Sequence, residues 1–196
     1  MSRSSRKIYN GAVCHILQRG NNKNIIFKDD DDYANFLKLI KRYKKRYFFN
    51  IYNYCLMPNH VHLLIQIISK TDMPKIFQGI FQSFQFHHRK KYDYCGSLYQ
   101  NRYKSILVEN NSYLLECARY IERNPVRAEI VKQFSEYQWS SYNFYAYGKK
   151  NSIITPNPLF FDLARTTNKR RKMYMEYVTQ PRPYEELLDK NMGKLV

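Results

Sequence analysis

The sequence predicts an α+β fold: a ferredoxin-like split βαβ with an antiparallel sheet and helices on one face, plus a helical C-terminal appendage. Three observations lead there. Short apolar runs occur at 12–18, 51–57, 60–67 and before Glu109. Segments with apolar residues at helical spacing lie between and after them, at 29–47, 73–94 and from about 111. The resulting order, strand, helix, strand, strand, helix, strand, helix, is that of a split βαβ sheet. A chain of 196 residues with 44% hydrophobic content can bury a real core, which excludes disorder throughout.

The first strand, 12–18, runs into Arg19-Gly20-Asn21-Asn22-Lys23, a turn cluster in which Arg19, Asn21 and Lys23 can meet phosphate. Asp29 to Asp32 then complement the dipole at the start of a helix reaching about Tyr47, with Phe36, Leu37, Ile40 and Tyr43 on its apolar side. Its other side carries Lys38, Lys41, Arg42, Lys44 and Lys45, either a solvated face or a DNA contact. Runs 51–57 and 60–67, joined by Pro58-Asn59, predict an antiparallel hairpin. The second helix, 73–94, gathers His87, His88, Arg89, Lys90 and Lys91 at its C-terminal end, where cations suit the dipole. Arg89, Lys90 and Lys91 are also candidate DNA contacts, as are Arg102 and Lys104 in the loop that leads to the fourth strand. Asn111 or Ser112 caps a third helix holding Tyr113, Cys117, Tyr120 and Ile121. A further short helix is expected after Pro125. The expected domains are 1–148 and a basic, mostly helical extension, 149–196, containing Asn168-Lys169-Arg170-Arg171-Lys172.

Charge narrows the partner. Lys and Arg number 33 against 16 Asp and Glu, a formal +17, which is beyond what solubility needs and points to a polyanion. Aromatics make up 16% of residues, 19 of them Tyr, and rings interleaved with cations suit single-stranded nucleic acid. No long apolar helix or clean basic amphipathic one argues for a membrane. Cys14, Cys55, Cys95 and Cys117 form no C-x-x-C pair and read as small core residues in a reducing cytosol. The N-terminus lacks an apolar stretch suited to a signal peptide, so the expected location is cytoplasmic.

Chemistry concentrates at 53–66, NYCLMPNHVHLLIQ. Alternating strand geometry points His60 and His62 the same way, so two imidazoles can share one divalent ion. The alternative is two satisfied core histidines. Asn124 lies four residues after Tyr120 and shares its side on a continuous helix, where its amide oxygen could be a third ligand. It could equally cap a helix that begins at Pro125.

The segments YCLMPNHVHLL (54–64), ARYIERNPVRA (118–128) and WSSY (139–142) together resemble the REP-associated tyrosine transposases, single-tyrosine endonucleases with a histidine-hydrophobic-histidine motif. The resemblance implies that His60 and His62 hold a divalent ion, Mg or Mn. It also implies that Tyr120, placed just before Asn124-Pro125-Val126, attacks a DNA phosphodiester. The implied substrate is single-stranded DNA beside a hairpin, with Arg123 and Arg127 available to assist Tyr120 or bind DNA. Monomer and homodimer both occur among such proteins. Tyr99, Asn101 and Glu129 depart from the family pattern, which has Trp, Gly and Gly at these places. A catalytically silent DNA- or RNA-binding protein of the same fold is the alternative.

Overall fold

A computed structural model describes residues 8–69 and 73–180. The N-terminal basic residues within 1–7 and the end of the expected extension, 181–196, lie outside the described residues. Four strands, β1 (Val13–Arg19), β2 (Phe49–Met57), β3 (His60–Ile67) and β4 (Lys104–Val108), form one sheet in the order β2-β3-β1-β4. Every pairing is antiparallel. With α1 (Asp30–Tyr47) between β1 and β2, and α2 (Met73–Tyr92) between β3 and β4, this is the expected split βαβ.

All of β3 except Gln66 is buried, so the strand has no polar face. The reason is that both sides of the sheet are covered. Val61, Leu63 and Ile65 pack with Phe36 and Ile40 of α1 and with Phe77 and Ile80 of α2. On the opposite face, Leu64 with Tyr52, Cys55 and Met57 of β2 packs against Leu114, Cys117 and Ile121 of α3 (Asn111–Arg127). The two helices inside the βαβ unit therefore share one face as expected, and the third helix closes the other. Alternation along β3 sends His60 and His62 to the α3 side. A bulge between Ile51 and Asn53 shifts the β2 register and leaves Asn53 facing α3, where it meets Glu122.

Helix ends follow local chemistry. The Asp29 side chain accepts from the Asp32 N–H at 3.1 Å and caps α1. Where α1 crosses α2, a Cβ at Gly79 would lie 2.4 Å from the Tyr43 hydroxyl, so any larger residue there must displace the end of the Tyr43 side chain. The cap of α3 is Asn110, whose Oδ1 accepts from the Tyr113 N–H at 2.8 Å. That is one residue ahead of the expected Asn111 or Ser112. The helix then continues through Pro125 to Arg127, and the further short helix expected after Pro125 is a single 3-10 turn at Phe134–Glu136.

Three helices follow, α4 (Tyr142–Tyr147), α5 (Pro158–Asp162) and α6 (Thr167–Thr179). Tyr174 and Val178 of α6 are buried in the same core as β2 and β3, so the described part of 149–196 is continuous with the core of 1–148. Cys14, Cys55 and Cys117 are buried free thiols, but Cys95, expected in the core, is exposed in the loop after α2. Among the described residues no helix is long and apolar enough to cross a membrane.

Candidate active site

His60 and His62 lie side by side at the start of β3, their ring centroids 4.8 Å apart. Each has its Nδ1 already engaged. Asn59 Oδ1 accepts from His60 Nδ1 at 2.5 Å, and the Asn59 amide is itself oriented by donating to the Lys23 carbonyl at 3.2 Å. Across the strand pair, His62 Nδ1 meets His15 Nε2 at 2.9 Å. The outward atoms, His60 Nε2 and His62 Nε2, are buried and have no hydrogen-bond partner. Burial, and for His60 also the Arg19 charge, holds His15 and His60 down to about 3 and His62 well below its usual range. All three rings are neutral at pH 7, so each keeps a lone pair.

Asn124 supplies a third such atom. Pro125 has no N–H, which frees the Ile121 carbonyl inside α3. The Asn124 amide nitrogen fills that gap, donating to the Tyr120 carbonyl at 2.7 Å and the Ile121 carbonyl at 3.3 Å. Two carbonyls fix the amide's orientation, leaving Asn124 Oδ1 on the far side, buried and without a partner. Asn124 is therefore an interior residue of α3, and the N-cap alternative does not hold. Two imidazole nitrogens and one amide oxygen, buried and without partners, form a set suited to a divalent cation when each ring carries its proton on Nδ1. The alternative of satisfied core histidines leaves those atoms unexplained.

His60 and Asn124 line one cleft of about 240 Å³ together with Arg19, Lys23 and Asn59. Tyr120 stands beside it, fully buried, with its ring edge-on to His62 at 5.8 Å and to His15 at 6.3 Å. The Arg127 guanidinium lies 5.3 Å over the Tyr120 ring. The structure thus brings together His60, His62, Asn124, Tyr120, Arg19, Lys23 and Arg127. Asn21 belongs to the turn that carries Lys23.

Other expected contacts lie elsewhere. The Arg123 guanidinium donates to the Val178 and Thr179 carbonyls at 2.8 and 2.9 Å, ending α6 and not entering the cleft. Lys91 bonds Asp29, Asp31 and Asp32 at 2.7, 3.0 and 3.1 Å, and Arg89 donates to the Gly96 carbonyl. Asp31, Asp32 and His87 cluster closely enough to suggest a second cation site, but the Lys91 ammonium already bonds both carboxylates there. Lys90, Arg102 and Lys104 are exposed. Reading the sequence missed His15, whose signal was a buried histidine inside an apolar strand, and Asn59, visible only as a turn residue.

A search of curated protein sequences gives no match. Among solved structures, the REP-associated tyrosine transposase bound to a REP hairpin superposes with a TM-score of 0.61 at 19% identity, covering 80% of this chain and 93% of that one. A candidate transposase from Deinococcus radiodurans R1 gives 0.42 at 16% identity, over 70% of this chain and 98% of that one. The first shows a shared fold. The IS200-like transposase sequence profile matches residues 8–124, which run from β1 through His60 and His62 to Tyr120 and Asn124. The chain belongs to the IS200-like transposase family.

Proposed function

We propose that this protein is a single-tyrosine DNA endonuclease and strand transferase that cuts single-stranded DNA beside a REP-like hairpin through a 5′-phosphotyrosine. The observation that carries this reading is the convergence of three buried, unpartnered ligand atoms next to Tyr120. His60 Nε2, His62 Nε2 and Asn124 Oδ1 would hold Mg or Mn, which when bound supplies charge that orients and polarises the scissile phosphate. Three neutral ligands leave that charge undiminished. Tyr120 Oη gives up its proton to water and attacks phosphorus, the bond to O3′ breaks, and the 3′ oxygen takes a proton from water to leave as a hydroxyl. The phosphoryl group remains esterified to Tyr120, which conserves the bond for rejoining.

Arg127, over the Tyr120 ring, favours the phenolate that attack requires. Arg19 and Lys23 on the cleft wall neutralise neighbouring phosphates without reading sequence. A hairpin substrate is supported by the REP hairpin held by the structural relative. Residues 1–148 carry the chemistry and the described part of the extension, 149–180, braces it, in a cytoplasm whose reducing conditions suit the free thiols.

One observation favours the second reading, a silent DNA- or RNA-binding protein: Tyr120 has no exposed surface. On the first reading its cover must part when DNA enters. Labelled hairpin DNA with a single-stranded flank, incubated with Mg or Mn, separates the two. A covalent protein–DNA band that needs metal and disappears in Tyr120→Phe is expected. Salt-sensitive binding without a band would establish the binder, and cleavage retained by Tyr120→Phe would indicate attack by water.

A further inference from the structure

His15 sits on β1, outside every motif that identifies the site, and it is completely buried. Its Nε2 lies 2.9 Å from His62 Nδ1, and its ring lies against both His62 and Tyr120. The register explains the meeting: β1 pairs with β3 so that Leu17 faces His62 and His15 faces Leu64, which puts His15 and His62 on the same face, diagonal to each other. We propose that His15 is a positioning residue that holds the His62 proton on Nδ1, so that the Nε2 lone pair is presented to the metal.

The argument is one of proton placement. A neutral imidazole has one N–H and one lone pair, and the His15–His62 contact admits either ring as donor. If His15 donates, His62 carries its proton on Nε2, an atom buried without a partner and unable to bind a cation. If His62 donates, its Nε2 keeps the lone pair that a ligand needs, and the N–H left without a partner is instead that of His15 Nδ1, which is also buried. His60 is built the same way, since Asn59 Oδ1 can only accept and so fixes the His60 proton on Nδ1. One histidine is oriented by a turn amide next to it, and the other by a histidine 47 residues away. Partners of this kind orient metal ligands and raise their basicity, and their loss typically costs about 10- to 100-fold in metal affinity.

The inference depends on the metal reading, so the test keeps the two apart. Full-length wild type, His15→Phe and His15→Gln are compared by nitrogen NMR of the His62 ring in the metal-free protein, and by calorimetric titration with Mn²⁺. The glutamine can still place an acceptor near the original Nε2, whereas the phenylalanine keeps the ring volume and removes it. Wild type and His15→Gln are expected to show His62 protonated at Nδ1. His15→Phe is expected to shift that proton to Nε2 and weaken Mn²⁺ binding about 10- to 100-fold, with an unchanged thermal melt confirming that it folds. If His15→Phe fails to fold, His15→Gln decides: His62 protonated at Nε2 there, or in wild type, overturns the proposal. Wild-type affinity retained by a folded His15→Phe overturns it too, and leaves the metal reading standing. No Mn²⁺ binding by wild type removes the metal reading and with it the role assigned to His15, whatever the tautomer.

Discussion

Glu129 follows the last turn of α3 at φ +54°, the left-handed region that glycine enters freely and other residues enter at a cost. The backbone there makes a full Schellman closure, with the Ile130 N–H bonding the Pro125 carbonyl and the Glu129 N–H bonding the Val126 carbonyl, both at 3.0 Å. This accounts for the glycine expected at 129. Glu129→Gly should raise stability by about 0.5 to 1 kcal/mol, since relief of the backbone strain outweighs glycine's added unfolded-state entropy. Urea melts with matched slopes measure it, and a loss of stability would mean that the glutamate makes a compensating contact. At this scale the sequence showed what lies close along the chain. The His60–His62 pair was legible because a strand's period is two. The choice of Tyr120 as the proposed nucleophile rested only on resemblance, because 19 tyrosines share one local chemistry. The role of Asn124 turned on whether Pro125 breaks the helix, and local rules allow both answers. His15 was hidden because its partner becomes a neighbour only when β1 and β3 pair.

Strands and helices came out close to their expected bounds because apolar periodicity is a local property, and β1, β2, β3 and α1 differ by two residues or fewer. The function of whole elements was harder to read. Arg123 belonged by sequence to a basic cluster beside Tyr120, yet α6 packs behind α3 and takes the guanidinium for its own end. Tyr177 likewise donates to Glu116, so α6 is pinned along the back of the helix that carries Tyr120. Arg123→Ala should therefore cost about 1 to 3 kcal/mol in stability, the usual loss for a charged donor to buried carbonyls. It should leave the salt dependence of DNA binding unchanged. Lys23→Ala, on the exposed rim of the cleft, should do the reverse, reducing the log–log salt slope by about 0.7 for single-stranded DNA while leaving stability intact. Urea melts and binding titrations across salt distinguish the two. A reduced slope for Arg123→Ala with normal stability would return that residue to the DNA.

For the whole molecule, a sheet covered on both faces gives the protein two interiors, and the one beneath α3 is rich in polar groups. Glu122 is its hub, fully buried and accepting from Asn53 at 2.8 Å, Ser141 at 2.5 Å and Tyr174 at 2.7 Å, which ties β2, the start of α4 and α6 to α3. Burial pushes this carboxyl up to about 7 despite three donors. Between the ordinary carboxylate value of 4.5 and about 7, the folded protein holds a proton that the unfolded chain has released. Stability from this group is fully present below 4.5 and is lost as pH rises through 7, a change of about 3 kcal/mol. The buried histidines act in the opposite sense. With folded values near 3 for His15 and His60, they remain neutral while the unfolded chain gains protons, so their contribution is present above 6.5 and is lost as pH falls toward 3. Glu122→Gln isolates the first effect, because an amide keeps the shape and does not titrate. Relative to wild type, its stability should improve by about 3 kcal/mol between pH 4.5 and 8, read from urea melts at intervals across that range. The absolute offset between the two proteins reports the altered hydrogen bonds and can take either sign. The slope of the difference is the diagnostic quantity, and a pH-independent difference would show that the carboxyl titrates in the folded protein as it does in the unfolded chain.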